Sequence, residues 1–277
     1  IKGYGVNRLA SLISYTGGIE TILSGKGYPV KCGQHCLKLP SQKQIDEARL
    51  KAEQEMIFIE KHDVNVHFFL DETYPNRLKS CYGAPVVLFG KGKYNLNKHR
   101  TISIVGTRNA TQYGLAFCEH LIASLQAYDV SVISGMAYGI DVCAHRACLD
   151  YNIPTLAVLA HGLDRLYPNA HKKTARAMVE NGGLLTEYPI NTNPDRERFP
   201  ARNRIVAGMS DATIVIESGF KGGSLITADI AFNFNRDVLA LPGNVGQTFS
   251  QGCNRLIKEQ KASMITEIDD LIHLMGW

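Results

Sequence analysis

Apolar residues recur at helical spacing early in the chain, first Leu9, Leu12 and Ile13, then Ile19, Ile22 and Leu23. The turn Gly3-Tyr4-Gly5-Val6 precedes the first run. Ile45, Ala48, Ala52 and Ile59 fall near one face of a second periodic stretch, which predicts a helix over Gln44 to His62. The intervening Gly25 to Pro40 carries Gly and Pro breakers and reads as loop. From about residue 64 the period changes. Short apolar runs alternate with helical stretches, which predicts a mostly parallel sheet with helical crossovers. Strands are expected at Val64–Phe69, Pro85–Phe89, Thr101–Val105, Val130–Ser134, Pro154–Ala160, Leu184–Glu187, Ala212–Glu217 and Val238–Leu241. Helices are expected at Gln112–Ala127, Ile140–Asp150, Ala170–Asn181, Arg202–Met209 and Ser224–Phe234. The strands are rich in Ile, Val and Leu, as in a sheet covered on both faces. The fold class is therefore α/β, with a small helical domain over residues 1–63 and a domain built on the mostly parallel sheet over 64–277.

Composition narrows the picture modestly. The chain has 277 residues, which suits one large domain with a small attachment. No apolar run is long enough to span a bilayer and no signal peptide is found. The chain opens at Ile1 without a methionine, which reads as a trimmed start. The seven cysteines are odd in number and scattered. Cys32 and Cys36 could begin a metal site, but no second pair at zinc-like spacing follows. A reduced cytoplasmic protein without metal or cofactor is the expectation. A net charge of +4 permits an anionic partner without requiring one. Its distribution matters more: Arg196, Arg198, Arg202 and Arg204 crowd together, and His171, Lys172, Lys173 and Arg176 form a second cluster.

Three glycine-containing turns follow predicted strands and open helices: Gly106-Thr107-Arg108, Ser134-Gly135-Met136-Ala137 and Gly222-Gly223-Ser224. In a parallel sheet such turns lie at the carboxyl edge, where ligands bind. Glycine lets the backbone approach a ligand, and free N–H groups at a helix start attract phosphate. Arg108 can add a charge-assisted bidentate contact, and the hydroxyls of Thr107, Ser134, Ser224 and Thr227 can add hydrogen bonds. The alternative is that these glycines only make tight turns. Neither the dinucleotide fingerprint nor a Walker A motif is present. In Arg196 to Arg204 the guanidinium groups suit phosphate, and Phe199 either stacks on an unpaired base or staples a helix start. The i,i+4 pair Asp141 and His145 reads as a helix contact or a buried histidine rather than a catalytic pair. Glu187 and Glu217 end strands near the cleft, where they could do acid–base work, and Glu217 could equally bond backbone N–H groups in the Gly222 loop.

Seven ordered motifs carry a resemblance. They are Ile104-Val105-Gly106-Thr107-Arg108, Ser134 to Asp141, Gly162 to Pro168, Phe199 to Gly208, Gly223 to Ala228, Leu241-Pro242-Gly243 and Gly252 to Ile257. Together they resemble the DNA-processing protein A (DprA, also called Smf) family from about Tyr74 onward, and more loosely through the N-terminal helices. The resemblance implies an extended Rossmann-like fold behind a small helix-hairpin-helix or SAM-like domain, and a homodimer. It implies binding of single-stranded DNA and delivery of the RecA recombinase to it in natural transformation, without enzymatic activity. The DNA-facing set expected from turns and motifs is Gly106, Thr107, Arg108, Ser134, Gly135, Lys173, Arg196, Phe199, Arg202, Arg204, Gly222, Gly223 and Ser224. Many relatives carry a lysine directly after the Tyr-Pro pair. Here the residue is Asn169, so Lys172 or Lys173 is the expected substitute. Some relatives carry a C-terminal winged-helix module, which is not found before Trp277. The competing reading is a nucleoside monophosphate phosphoribohydrolase. Those enzymes use a P-G-G-x-G-T-x-x-E motif, and Lys221 to Asp229 does not supply the glutamate in that register.

Overall fold

The computed structural model describes residues 6–23, 30–32, 35–37 and 39–277. Gly3, Tyr4 and Gly5 of the opening turn lie outside the described residues, as do the side chains of Cys32 and Cys36. Helices α1 (Val6–Thr16) and α2 (Ile19–Leu23) follow the apolar spacing of the sequence. The expected loop over 25–40 instead contains a hairpin, β1 (Val30–Cys32) paired antiparallel with β2 (His35–Leu37). The Gly and Pro breakers flank these three-residue strands, which are too short to show a period. Leu12, Ile13 and Ile22 bury against Val86, Phe68 and Phe69, so the first helices share a core with the sheet edge.

Helix α3 (Gln42–His62) starts at a capping box. Ser41 Oγ accepts from Gln44 N, and the Gln44 side chain accepts from Ser41 N. It stops at Asp63, whose left-handed conformation (φ 51°) lets its N–H reach Ile59 O.

The sheet has nine strands: β3 (Asn65–Phe68), β4 (Val87–Lys93), β5 (Arg100–Gly106), β6 (Val130–Ser134), β7 (Thr155–Val158), β8 (Gly182–Thr186), β9 (Ala212–Ile216), β10 (Asp237–Ala240) and β11 (Ser263–Met264). Their order is β11-β10-β9-β5-β6-β7-β8-β4-β3. The seven strands from β11 to β8 are parallel; β4 runs antiparallel to both β8 and β3. The helices are α4 (Asn76–Lys79), α5 (Gln112–Leu125), α6 (Ile140–Asp150), α7 (Lys172–Met178), α8 (Arg198–Gly208), α9 (Gly223–Asn233), α10 (Gln251–Lys258) and α11 (Ile268–Met275).

Strand alternation divides the core into two layers. Ile102 and Ile104 of β5, with Ala212, Ile214 and Ile216 of β9, pack under α5 and α6. Val105 and Val215 point to the other face, under α8 and α9. On that face Ser103 and Thr213 satisfy one another at 2.8 Å. From β5 the chain proceeds through β6, β7 and β8 in one direction. Helix α8 then leads to β9 on the other side of β5, and β10 and β11 continue outward. The order of winding therefore reverses between β5 and β9, and a parallel sheet opens a crevice at the carboxyl ends of such strands.

Candidate functional site

That crevice is a cleft of about 720 Å³. It is bounded by the turns after β5 and β6, the segment leading into α8, and the turn that opens α9. Three arginines line it, Arg108, Arg196 and Arg202, against one carboxylate, Asp141. A ligand entering it meets a positive surface. The smaller pocket of about 220 Å³ around Tyr94, Lys98 and Ser131 sits by the amino ends of the strands, away from all three turns.

The turn after β5 is rigid. Thr107 N donates to Glu217 O at 2.8 Å, continuing the β5–β9 ladder by one residue, and Thr107 O accepts from Ile140 N at 3.2 Å. Glu217 adopts a left-handed conformation (φ 56°). Its carboxylate accepts from Thr111 N at 2.8 Å and from Thr111 Oγ1 at 2.5 Å, which fixes the residue capping α5. Held by both ends, the turn presents Arg108 to solvent with its guanidinium 5.5 Å from the centre of the Phe199 ring. Phe199 is half-buried and lines the cleft, with the Tyr167 ring 5.9 Å away at 59°. Arg196 stands exposed at the rim. Gly222, Gly223 and Ser224 open α9 at the cleft without a side-chain cap; Gly222 N donates to Gly219 O at 3.1 Å, which leaves the N–H groups of Gly223 and Ser224 for an anion.

Beneath the cleft lies a buried polar floor. Arg202 is only 4% exposed, and its Nη1 donates to Gly135 O at 2.6 Å and also to Val158 O. Asp141 is buried beside it and accepts from Ala137 N at 3.3 Å. Burial raises the Asp141 pKa, while Arg202 and backbone N–H groups pull it back. Gly135 passes between the two: a Cβ there would lie 2.5 Å from Arg202 Nη2 and 2.6 Å from Asp141 Oδ2. Only glycine leaves both in place. His145 is fully buried and its Nδ1 lies 2.7 Å from Thr155 Oγ1, so it pairs with the sheet and not with Asp141. Burial, with help from Arg202 and His171, pushes its pKa down to about 3.

The structure divides the expected DNA-facing set. Gly106, Thr107, Arg108, Gly135, Arg196, Phe199, Gly222, Gly223 and Ser224 meet at the cleft. Ser134 does not: it is fully buried, and its hydroxyl donates to Ile104 O at 2.6 Å. Arg202 reaches the cleft wall, but its guanidinium is spent on the floor. Arg204 faces elsewhere, bound to Glu187 by two hydrogen bonds of 2.6 Å and to Gly83 O at 2.8 Å. The reason is helical geometry. Helix α8 begins at Arg198, and residues two apart on a helix point about 200° from one another. The Ser224 hydroxyl is also used, donating to Ser218 Oγ at 2.8 Å, so its backbone N–H is what remains. Lys173 is exposed on α7 and does not line the cleft. Glu187 and Glu217 are tied to Arg204 and Thr111. Sequence reading missed Tyr167, Asn109 and Asn203 as lining residues. An aromatic residue before Pro168, after a strand of the carboxyl edge, was the available signal for Tyr167.

Among the described residues, no cluster of three or more His, Cys, Asp or Glu is placed to hold a metal ion, and no helix is long and apolar enough to cross a membrane.

The profile of the family described as DNA recombination-mediator protein A matches residues 65–276. A putative DNA processing protein DprA of Mycobacterium tuberculosis is 41% identical over 202 residues, 72% of this chain and 52% of that protein. The chain thus spans about half the length of this relative. Among solved structures, DNA processing protein A of Streptococcus pneumoniae superposes with a TM-score of 0.82 at 30% identity, covering 98% of this chain and 93% of the other. DNA processing protein A of Helicobacter pylori superposes with a TM-score of 0.69 at 26% identity, covering 76% and 95%; its structure addresses that protein's single-stranded DNA binding mode.

Proposed function

This chain belongs to the DNA recombination-mediator protein A family, and from that membership we propose that it holds single-stranded DNA in the cleft at the β5–β9 switch point. The observation that carries this reading is the placement of Arg108 against Phe199 opposite the uncapped start of α9. A cation and free N–H groups suit phosphate, and an aromatic face beside them suits an unpaired base. Arg108 and Arg196 take phosphates, Phe199 takes a base, and the N–H groups of Gly223 and Ser224 at the start of α9 receive a further phosphate, the open side of Gly223 letting the strand approach closely. In a duplex the bases are stacked on one another, so the ring has no face to take.

A nucleoside monophosphate hydrolase fits less well. Such chemistry needs a carboxylate free to act on the sugar or on water. Both strand-end glutamates are occupied, and Asp141 is buried among Arg202 and backbone N–H groups. The protein acts by binding. Delivery of the RecA recombinase, a homodimeric state and a cytoplasmic location in a transformable cell complete the proposal, and these rest on the family resemblance alone.

The test is fluorescence anisotropy with labelled oligothymidine, challenged by unlabelled single strand or duplex. Single strand displaces the label and duplex does so poorly, with affinity falling steeply as salt rises. Equal competition by duplex, or no retention at low salt, overturns the reading. RecA filament formation on strands coated with single-strand-binding protein tests the delivery step. It accelerates on addition of the chain, and an unchanged rate refutes that step.

A further inference from the structure

Tyr167 belongs to none of the hydrophobic clusters. Its chain neighbours Leu163 and Leu166 pack against Met136, Leu159 and Met178, whereas the Tyr167 ring turns outward, is 49% exposed and lines the cleft. An aromatic ring left half in water is not serving as core, and a cleft wall of this kind gives it a second use.

Its position is fixed by the loop that carries it. The Tyr167 N–H donates to His161 Nε2 at 3.1 Å. His161 Nδ1 lies 2.9 Å from Gly162 O, so the proton of the neutral ring sits on Nδ1 and Nε2 is left to accept. The loop is further tied to β8 through Thr186 Oγ1, which donates to His161 O at 2.8 Å. The ring is presented on a braced backbone, which lowers the ordering cost of binding.

The two aromatic rings of the cleft stand 5.9 Å apart and are tilted by 59°. Rings in that arrangement cannot sandwich one base, because stacking on both faces needs them parallel. Each ring can take a base of its own. Arg108 flanks Phe199 at 5.5 Å and supplies the charge that a strand threading past both rings requires.

We propose that Tyr167 is a second base-stacking residue, taking the nucleobase adjacent to the one on Phe199. The proposal rests on the reading of the cleft as a single-stranded DNA site. It makes the cleft a reader of two successive unpaired bases.

The experiment compares wild type, Tyr167→Leu and Tyr167→Phe on oligothymidine and on an abasic strand of the same length. Tyr167→Leu weakens oligothymidine binding by about tenfold, the size of one base–ring stack. Tyr167→Phe keeps the ring and binds as wild type. On the abasic strand all three bind alike. No loss with Tyr167→Leu, or the same loss on the abasic strand, overturns the assignment. Photocrosslinking of wild type to a strand carrying 5-iodouracil needs no variant: adducts on the Tyr167 peptide support the proposal, and adducts on the Phe199 peptide alone refute it. If wild type fails to hold oligothymidine at all, both the cleft reading and this proposal fall. If wild type binds and only the Tyr167 results fail, the cleft reading stands.

Discussion

Replacing Arg202 by Ala separates the structural arginine of the segment from the ones that face a ligand. Arg202 is 4% exposed and donates to Gly135 O and Val158 O while facing Asp141. Its removal strips two carbonyls of a donor and leaves a buried carboxylate without its cation. Breaking a buried charge arrangement in this way costs about 3–5 kcal/mol. At roughly 2–4 °C per kcal/mol for a chain of this size, the melting temperature falls by about 6–20 °C. Arg108 is exposed, and an exposed substitution moves stability by only about 0.5 kcal/mol. Arg108→Ala therefore melts within about 2 °C of wild type but binds oligothymidine less well. Thermal melts of both variants by circular dichroism near neutral pH, paired with binding assays, make the comparison. If Arg202→Ala melts within about 2 °C of wild type, the buried floor is not what holds the turn after β6, and the division drawn between the arginines is wrong.

Other consequences follow from the same geometry. The folded state holds His145 neutral down to about pH 3 against an ordinary value of 6.5, so the unfolded chain takes up the proton first as pH falls. His145 thus contributes no penalty above about pH 6.5, and stability drops below it by about 1.4 kcal/mol per pH unit, or about 2 kcal/mol at pH 5. Urea unfolding near pH 7 and pH 5 measures the drop, and His145→Gln reduces it, leaving the share of His67 and His161, whose burial also lowers their pKa; an unchanged slope in that variant contradicts the assignment. Ser134→Ala removes the bond to Ile104 O, lowers stability by about 1 kcal/mol in a denaturant titration, and leaves strand affinity unchanged. Glu217→Ala frees the Thr111 N–H and hydroxyl, destabilises by about 2 kcal/mol, and weakens strand binding by loosening the Thr107–Thr111 turn. A normal melting curve with normal binding would show that Glu217 does not brace that turn.

The parallel strands were legible because β5, β6, β7 and β9 are buried on both faces and carry short apolar runs between glycine turns. Strand β4 was read short, as Pro85–Phe89, because Gly90 and Gly92 look like breakers. Gly90 makes room for the nearby Tyr94 ring, and Gly92 passes close to the backbone of Gly182 and Gly183 in β8, a contact made by residues distant in sequence. Helix α8 was started at Arg202, after Pro200, although proline is tolerated in a first turn and the helix begins at Arg198. Arg202 and Arg204 lie on opposite faces under either start; which one meets Gly135 and Val158 and which meets Glu187 is set by tertiary packing. The elements α10, β11 and α11 follow the last strand read from the sequence. Helix α10 is amphipathic but only eight residues long, and β11 has two residues, too few to show a period. At the site, residue type located the three turns but could not tell a hydroxyl facing the cleft from one spent on the backbone, as at Ser134. That distinction is set by burial, which depends on the whole sheet.

The most direct measurement of the central claim is the salt dependence of oligothymidine binding by wild type, Arg108→Ala and Arg196→Ala. Each arginine that neutralises a phosphate adds about 0.7 to the magnitude of the slope of log affinity against log salt for a single strand. The account predicts that each substitution lowers that slope by about 0.7 and weakens binding about tenfold or more at low salt, with folding intact. Affinity and slope equal to wild type in both variants would contradict a strand held in the β5–β9 cleft.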